Sequence, residues 1–460
     1  MDVKRQIKKL CIFDLRSLAV LRVGTAFIVV LDLLLRLRDF QGHYTSGGVM
    51  PLNVLFRYLW NDYYFSFYTM ASGYGFALFL FLLNLVFALV LMFGYRTRWV
   101  SIACWLMMVS LHNRNPLVLQ GGDDLLRMIL FWGMFLPWGR VWSLDAIKAQ
   151  RITDYRVFSM AGVGYMMQTG AVYFFSALLK NSPEWTSEFT AVYYALSLDQ
   201  MVYPVGKLIY PYPDLLRVLT ASVWFAELLV PLLLLIPFAV SRFRLCFIIL
   251  IIGLHLGISL VLNVGLFPII GTVTLAGLLP GSIFDKGKNT IQDQLLSDHR
   301  FKQWGVSFFI CVVLLGNVVS LRKFDLAEKL YPMKVANLFR IEQNWGMFAP
   351  RVFKDDGWFV LIGNEEKDIY RGGKTVSLEK PKKVYSTVPT DRWRKYQENI
   401  LLISNSHFRP YYCNYLMNYW NSRNDDKITN LKVVYMKEVT LPNYEVEGPS
   451  YELLYECSCQ

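Results

Sequence analysis

The chain has 460 residues, with 47 Lys and Arg against 35 Asp and Glu, a formal charge of +12. Apolar residues reach 54% and charged residues only 18%, below the roughly 25% charge of an ordinary soluble domain. This balance excludes a disordered chain, a fibrous repeat and a purely soluble enzyme. No basic stripe interleaved with aromatics accompanies the charge, so nucleic acid is not an expected partner.

Residues 1–16 carry Lys4, Arg5, Lys8 and Lys9 and read as a cytoplasmic N-terminus. Asp14 and Arg16 interrupt the apolar core a signal peptide would need, so the first span is expected to remain uncleaved. A helix of about 20 apolar residues crosses a bilayer. The apolar runs predict spans over 17–36, 74–94, 99–112, 124–139, 158–179, 215–238, 243–262, 264–281 and 304–321. The third and fourth are short, and Pro116 with Gly121 and Gly122 between them suggests broken helices around a lined cavity. The expected fold is an α-helical polytopic membrane bundle of about nine spans over 17–321, with a small C-terminal α+β extramembrane domain over 322–460.

Basic residues orient the spans. Arg96 and Arg98, then Arg140, Lys148, Arg151 and Arg156, then Arg242 and Arg244, then Lys286, Lys288, Arg300 and Lys302 fall on the same side as the N-terminus. Arg36 and Arg38 fall on the other. Nine spans put residues 322–460 outside, in the periplasm; a re-entrant 264–281 would put them inside. The outer loop 37–73 holds the aromatic run Trp60 to Phe65, of the kind that marks a membrane interface. In the polar part, 352–378 read as short strands and turns, 390–421 as helical, and 429–441 as a strand ending at Pro442. Cys413 can pair with Cys457 or Cys459 if that part is exported; the sequence does not choose.

Ionisable groups within apolar runs are functional candidates, here Asp32, Asp123, Asp124, Glu227 and His255. For Asp123 and Asp124 the bland reading is helix N-capping. His112, at the turn after a short span, reads as a loop donor or a catalyst. His255 reads as an interhelical hydrogen-bonding group. Lys180 ends the run Tyr173 to Leu179. A lysine there usually snorkels to the interface, but one held away from water can serve as a base. No metal site is expected.

The segment Tyr173-Phe174-Phe175-Ser176-Ala177-Leu178-Leu179-Lys180-Asn181-Ser182-Pro183-Glu184-Trp185 resembles the aromatic helix and catalytic lysine of the HTTM-domain membrane proteins related to vitamin K-dependent gamma-carboxylase. Trp142-Ser143-Leu144-Asp145, Val240-Ser241-Arg242, His255 through Phe267, and the run Gln343 to Pro350 also resemble family segments, over roughly residues 15–285 and just beyond the last span. The resemblance implies a bacterial inner-membrane protein in which Lys180 deprotonates a reduced naphthoquinone. Carboxylase- or epoxidase-type chemistry on a peptide or lipid would follow, with Tyr173, Phe174, Ser176 and Trp185 lining the cofactor. The family's second essential residue, a His, falls near Asn115 and Pro116 here, with His112 displaced. The alternative is a non-catalytic membrane scaffold or maturation factor binding a secreted partner. A transporter is disfavoured, since no paired inverted repeats stand out. The run around Trp345, Met347 and Phe348 reads as an interface anchor or a substrate lid.

Overall fold

The computed structural model describes residues 3–149, 154–285, 296–297, 300–321 and 331–458. Arg151, Lys286, Lys288, residues 322–330 and Cys459 lie outside them, as do the side chains of Lys4, Arg5, Arg300 and Lys302. The chain is mainly helical. Helix α1 (Leu15–Leu37) starts where Asp14 accepts a hydrogen bond from Arg16 N at 2.8 Å. Then come α2 (Tyr74–Phe93), α3 (Thr97–Arg114), α4 (Gly121–Gly133), α5 (Met160–Leu179), α6 (Pro213–Leu229), α7 (Val240–Val261), α8 (Phe267–Leu275) and α9 (Arg300–Ser320). A small sheet, β1 (Ile12–Asp14), β2 (Arg156–Phe158) and β3 (Leu296–Ser297), ties the approach to α1 to the approach to α5.

Five stretches, Leu15–Leu37, Tyr74–Phe93, Pro213–Leu235, Val240–Val261 and Gln303–Ser320, are long and apolar enough to cross a membrane. The other four expected spans have different fates. Helix α3 carries Arg98, His112 and Arg114 within its 18 residues. Helix α4 has 13 residues and α8 has nine, too few to cross a core of about 30 Å at 1.5 Å per residue. Helix α5 buries most of its length at the centre of the bundle. Large apolar side chains instead face outward from α2, α6 and α7, including Phe79, Val218, Ile249 and Leu256, each 58–61% exposed. A belt of this kind suits lipid contact.

Long-range polar contacts set the helix ends. Helix α2 stops at Gly94, whose φ of +70° suits glycine and whose added Cβ would sit 1.6 Å from Arg22 Nη1. Arg22 needs that room to donate to Trp142 O at 2.5 Å. Asp145, last residue of the Trp142 segment, caps α3 from a distance, accepting from Arg96 N at 2.8 Å and from Thr97 N and Thr97 Oγ1 at 2.7 Å. Asp123 accepts from Gln120 N at 2.7 Å in a capping box at α4, so its capping role holds.

The polar part is an antiparallel sheet, β4 (Trp358–Ile362), β5 (Lys367–Asp368), β6 (Lys374–Thr375), β7 (Asn430–Thr440) and β8 (Val446–Ser458), in the order β6-β5-β4-β7-β8. Helices α10 (Asp391–Leu401) and α11 (Arg409–Asn421) cover the face that carries Leu361, Leu431 and Val433. A disulfide joins Cys413 on α11 to Cys457 on β8, Cα atoms 6.1 Å apart, choosing between the two partners the sequence allowed. Part of the outer loop joins this second core: Val49, Met50, Val54 and Leu55 cluster with Trp393 and Tyr396, and Trp60 packs against them. Trp60 therefore meets protein, where the sequence suggested a membrane interface.

Candidate functional site

Lys180 is the C-cap of α5. Its side chain is buried, 3% exposed, so it does not snorkel to the interface. The ammonium forms an ion pair with Glu227 of α6, donates to Ser176 Oγ at 3.1 Å and lies 4.8 Å from the centre of the Trp185 ring. The turn Asn181 to Pro183 makes this geometry: Trp185 N bonds Ser182 O at 3.1 Å and folds the indole back over the lysine. Removing one ion of such a buried pair would strand the other without water, so each fixes its partner.

Tyr173 and Ser176 share Lys180's face of α5, at spacings of seven and four residues. Tyr173 Oη lies 2.8 Å from His255 Nε2 on α7, with the rings edge-to-face. His255 also meets the Phe267 ring, and its Nδ1 has no hydrogen-bond partner among the described residues. Gly271 on α8 makes the approach possible, since a Cβ there would sit 2.1 Å from His255 Nε2. One helix face thus presents two buried polar pairs, Lys180–Glu227 and Tyr173–His255. Phe174 points to the adjoining face, where it meets Phe175 edge-on and stays half-buried.

The run Gln343 to Pro350 closes over this end of α5. Trp345 is fully buried, and its Nε1 donates to Gln343 Oε1 at 3.0 Å; Gln343 in turn exchanges hydrogen bonds with Gln168 of α5. A membrane-interface anchor would be exposed, so that reading fails for Trp345. Phe348 O accepts from Trp185 Nε1 at 2.9 Å, and Lys354 reaches Glu184 at 2.9 Å. The segment therefore holds the Lys180 turn in place, in the position of a lid. Two surface clefts, one around Trp142 and Ile147 and one around Gln41 and Tyr74, do not involve Lys180.

His112 belongs to a separate cluster. Its Nε2 is 3.7 Å from Asp123 Oδ1, too long for a hydrogen bond, and among the described residues it makes no contact with the Lys180 group. Asp32 and Asp123 are held by Arg36 from α1, at 2.7 Å to Asp32, and by Arg392 from α10, at 2.9 Å to Asp32 and 2.8 Å to Asp123. The three side chains Asp32, His112 and Asp123 have the spacing of a metal triad. Two guanidinium groups already neutralise the carboxylates, so a cation would have to displace them. Asp124 pairs with Arg127 at 2.8 Å, which also donates to Arg340 O at 2.6 Å. The sequence marks Glu227 only as an ionisable group in a span and Gln343 only as the start of the run to Pro350, and it does not single out Arg392. No local pattern marks a residue whose partner lies 47 positions away, as for Glu227, or 175 and 360 away, as for Gln343 and Arg392.

No protein family, curated relative or solved structure matches this chain.

Proposed function

We propose that the chain is a multi-pass membrane protein of the HTTM type, in the bacterial inner membrane with its disulfide-bonded sheet domain outside. Lys180 would act as base in quinol-dependent, carboxylase- or epoxidase-type chemistry on a peptide or lipid. The observation that carries this reading is the water-excluded Lys180, held by Glu227 and Ser176 at the end of a helix whose same face bears Tyr173 and His255. Glu227 is the group in contact with Nζ able to take its proton and leave a neutral amine. Tyr173 and His255 form a second pair across which a proton can shift. Trp185 and the closing segment exclude water, which would quench a strong base.

The donor set suits a reduced naphthoquinone. Lys180 and Ser176 can meet one oxygen, Trp185 offers a flat ring, and His255 Nδ1 is unpartnered among the described residues. When bound, such a group supplies an acidic hydroxyl and reducing equivalents for oxygen. Lys180 Nζ already bonds Glu227 and Ser176 beneath the Trp185 ring, so an incoming oxygen competes with these two acceptors for it. That closed pair is also what favours the second reading, a non-catalytic scaffold that binds a secreted partner. The disulfide suits an oxidising compartment, and with the N-terminus inside either nine spans or the five long ones alone would leave the sheet domain outside.

The test is native mass spectrometry of detergent-purified protein, with chemical analysis of any retained quinone, on the native chain and on Lys180→Arg. Retention by the native chain, with loss of ligand and turnover in the variant, is expected. Full activity in Lys180→Arg would reject a base role, because guanidinium stays protonated. Absence of any quinone or turnover in the native protein would favour the scaffold.

A further inference from the structure

The sheet of the polar domain ends on an unprotected edge. Strand β8 pairs with β7 on one side, and among the described residues no strand pairs with its other side. The cross-strand rungs run outward without changing character. Trp358 faces Met436, which faces Tyr451; Val360 faces Val434, which faces Leu453. The inner members are buried, at 5% exposure or less, whereas Tyr451 and Leu453 are 48% and 49% exposed. An apolar rung that ends exposed on an edge strand is a template for one more strand. Natural edges are usually blunted by lysine or proline. Pro449 does so at one end of β8 and a bulge interrupts it opposite Val433 and Val434, but from Ser450 to Leu453 the pairing is regular and there is neither Lys nor Pro.

The charge of this edge selects its partner. Beyond Glu438, which lies on β7 and pairs with Lys380, the sequence has no Lys, Arg or His and four glutamates, at 445, 447, 452 and 456, in a protein of net charge +12. Glu452 and Glu456 reach Lys437 and Lys432 of β7 at 3.4 and 3.9 Å but remain 44% and 40% exposed, and Glu445 and Glu447 are exposed. A second copy of β8 would lay like charges against one another, which is destabilising across strands. We infer that the Ser450–Ser458 edge is a docking site for an extended, basic polypeptide segment. The segment adds as a sixth strand, places alternate apolar side chains beside Tyr451 and Leu453, and sets its lysines or arginines against the glutamates. Main-chain hydrogen bonds supply affinity, and the alternating side chains supply specificity. This site is independent of the chemistry proposed for Lys180.

The probe is a fluorescein-labelled peptide of about ten residues, long enough to span the edge, alternating lysine with valine or threonine. Its anisotropy is followed with the full chain in zwitterionic nanodiscs. Saturable binding of this peptide is expected, with no binding of its glutamate-for-lysine analogue or of a version broken by central prolines. Leu453→Lys should weaken binding about fivefold or more by removing one cross-strand pair and adding a like charge. Glu452→Lys should weaken it similarly, and preserved oxidation of Cys413 and Cys457 confirms that each variant is folded. No saturable binding up to about 1 mM, equal binding of the acidic analogue, or indifference to Leu453→Lys would overturn the proposal. Binding of empty nanodiscs equal to that of loaded ones, or concentration-dependent self-association through β8, would assign the edge elsewhere and reject it too.

Discussion

The Arg392 guanidinium lies 2.9 Å from the carboxylate of Asp32, although 360 positions separate the two residues. With Asp123 and Arg36 they form a buried, neutral four-charge cluster that joins the polar domain to the helical bundle. Neighbouring contacts reinforce it: Thr390 to Asp39 and Gln120 to Asp391, each at 2.5 Å, and Asn399 to Leu117 O at 2.6 Å.

Removal of Arg392 leaves two carboxylates facing one guanidinium without water. Arg392→Ala is expected to destabilise the protein by about 3–5 kcal/mol, as for other broken buried ion pairs. Arg392→Lys should recover only part of this, since an ammonium cannot bridge both carboxylates as a fork. Thermal unfolding in detergent, followed by fluorescence size-exclusion, measures both.

Lys180 carries a structural cost that its position at a helix end conceals. A snorkelling lysine could be truncated freely, but here truncation strands Glu227. Lys180→Met should cost about 3–5 kcal/mol, and Lys180→Met combined with Glu227→Gln should restore most of it. Both variants should lack turnover if Lys180 is the base. Recovery of activity in the double variant would sink that role without disturbing the packing argument.

The acidic cluster between the bundle's outer loop and the sheet domain predicts a pH dependence. Asp199, Asp356 and Glu438 all bond Lys380, at 2.7 Å from Asp199 and 2.9 Å from Asp356, and Lys207 also pairs with Asp199. Burial pushes the Asp356 carboxyl from its ordinary 3.8 up to about 7; Lys380 opposes this and Asp199 adds to it. Between these values the folded protein holds a proton that the unfolded chain has released, so stability falls as pH rises through the window. Asp199, half-buried but kept low by Lys207 and Lys380, loses its contribution only below its ordinary range. The unfolding temperature should therefore be higher near pH 5 than near pH 8, and Asp356→Asn should flatten the difference. An unchanged slope in that variant would assign the dependence to another group.

The Cys413–Cys457 bridge closes a separation of 44 residues and pins β8 to α11. Cys413→Ser is expected to cost about 2–4 kcal/mol. Non-reducing mass mapping should recover the two cysteines as one linked peptide; free thiols at both, trapped at lysis, would reject the bridge and the exported placement it supports.

Sidedness is testable directly. Asn364 accepts hydrogen bonds from Thr429 N and Asn430 N, so a label there would disturb the turn. Lys374, exposed on β6, is the better site. In a background lacking Cys11, Cys104, Cys246, Cys311 and Cys459, Lys374→Cys should react with an impermeant maleimide in intact cells. Reaction only after permeabilisation would turn the sheet domain inward.

The sequence by itself determined what depends on neighbours along the chain. Apolar runs gave most of the helices, because hydropathy and backbone pairing are satisfied within a segment. Turn residues and alternation marked β4 and β7, and the glycines before Asp123 marked the start of α4. Of the nine expected spans five are long and apolar enough to cross; α5 is buried within the bundle, and α4 and α8 are short helices. Strand β8 went unread, since its exposed Tyr-Leu alternation is broken by a bulge where it pairs with Val433 and Val434. Only the tertiary structure decided that Lys180 meets Glu227, that Tyr173 meets His255, that Asp145 caps α3, that Cys413 meets Cys457 and that Arg392 enters the bundle. Each of these joins a polar or ionised group to a partner far along the chain. Burial makes such pairing obligatory, but nothing local specifies which distant group the fold delivers.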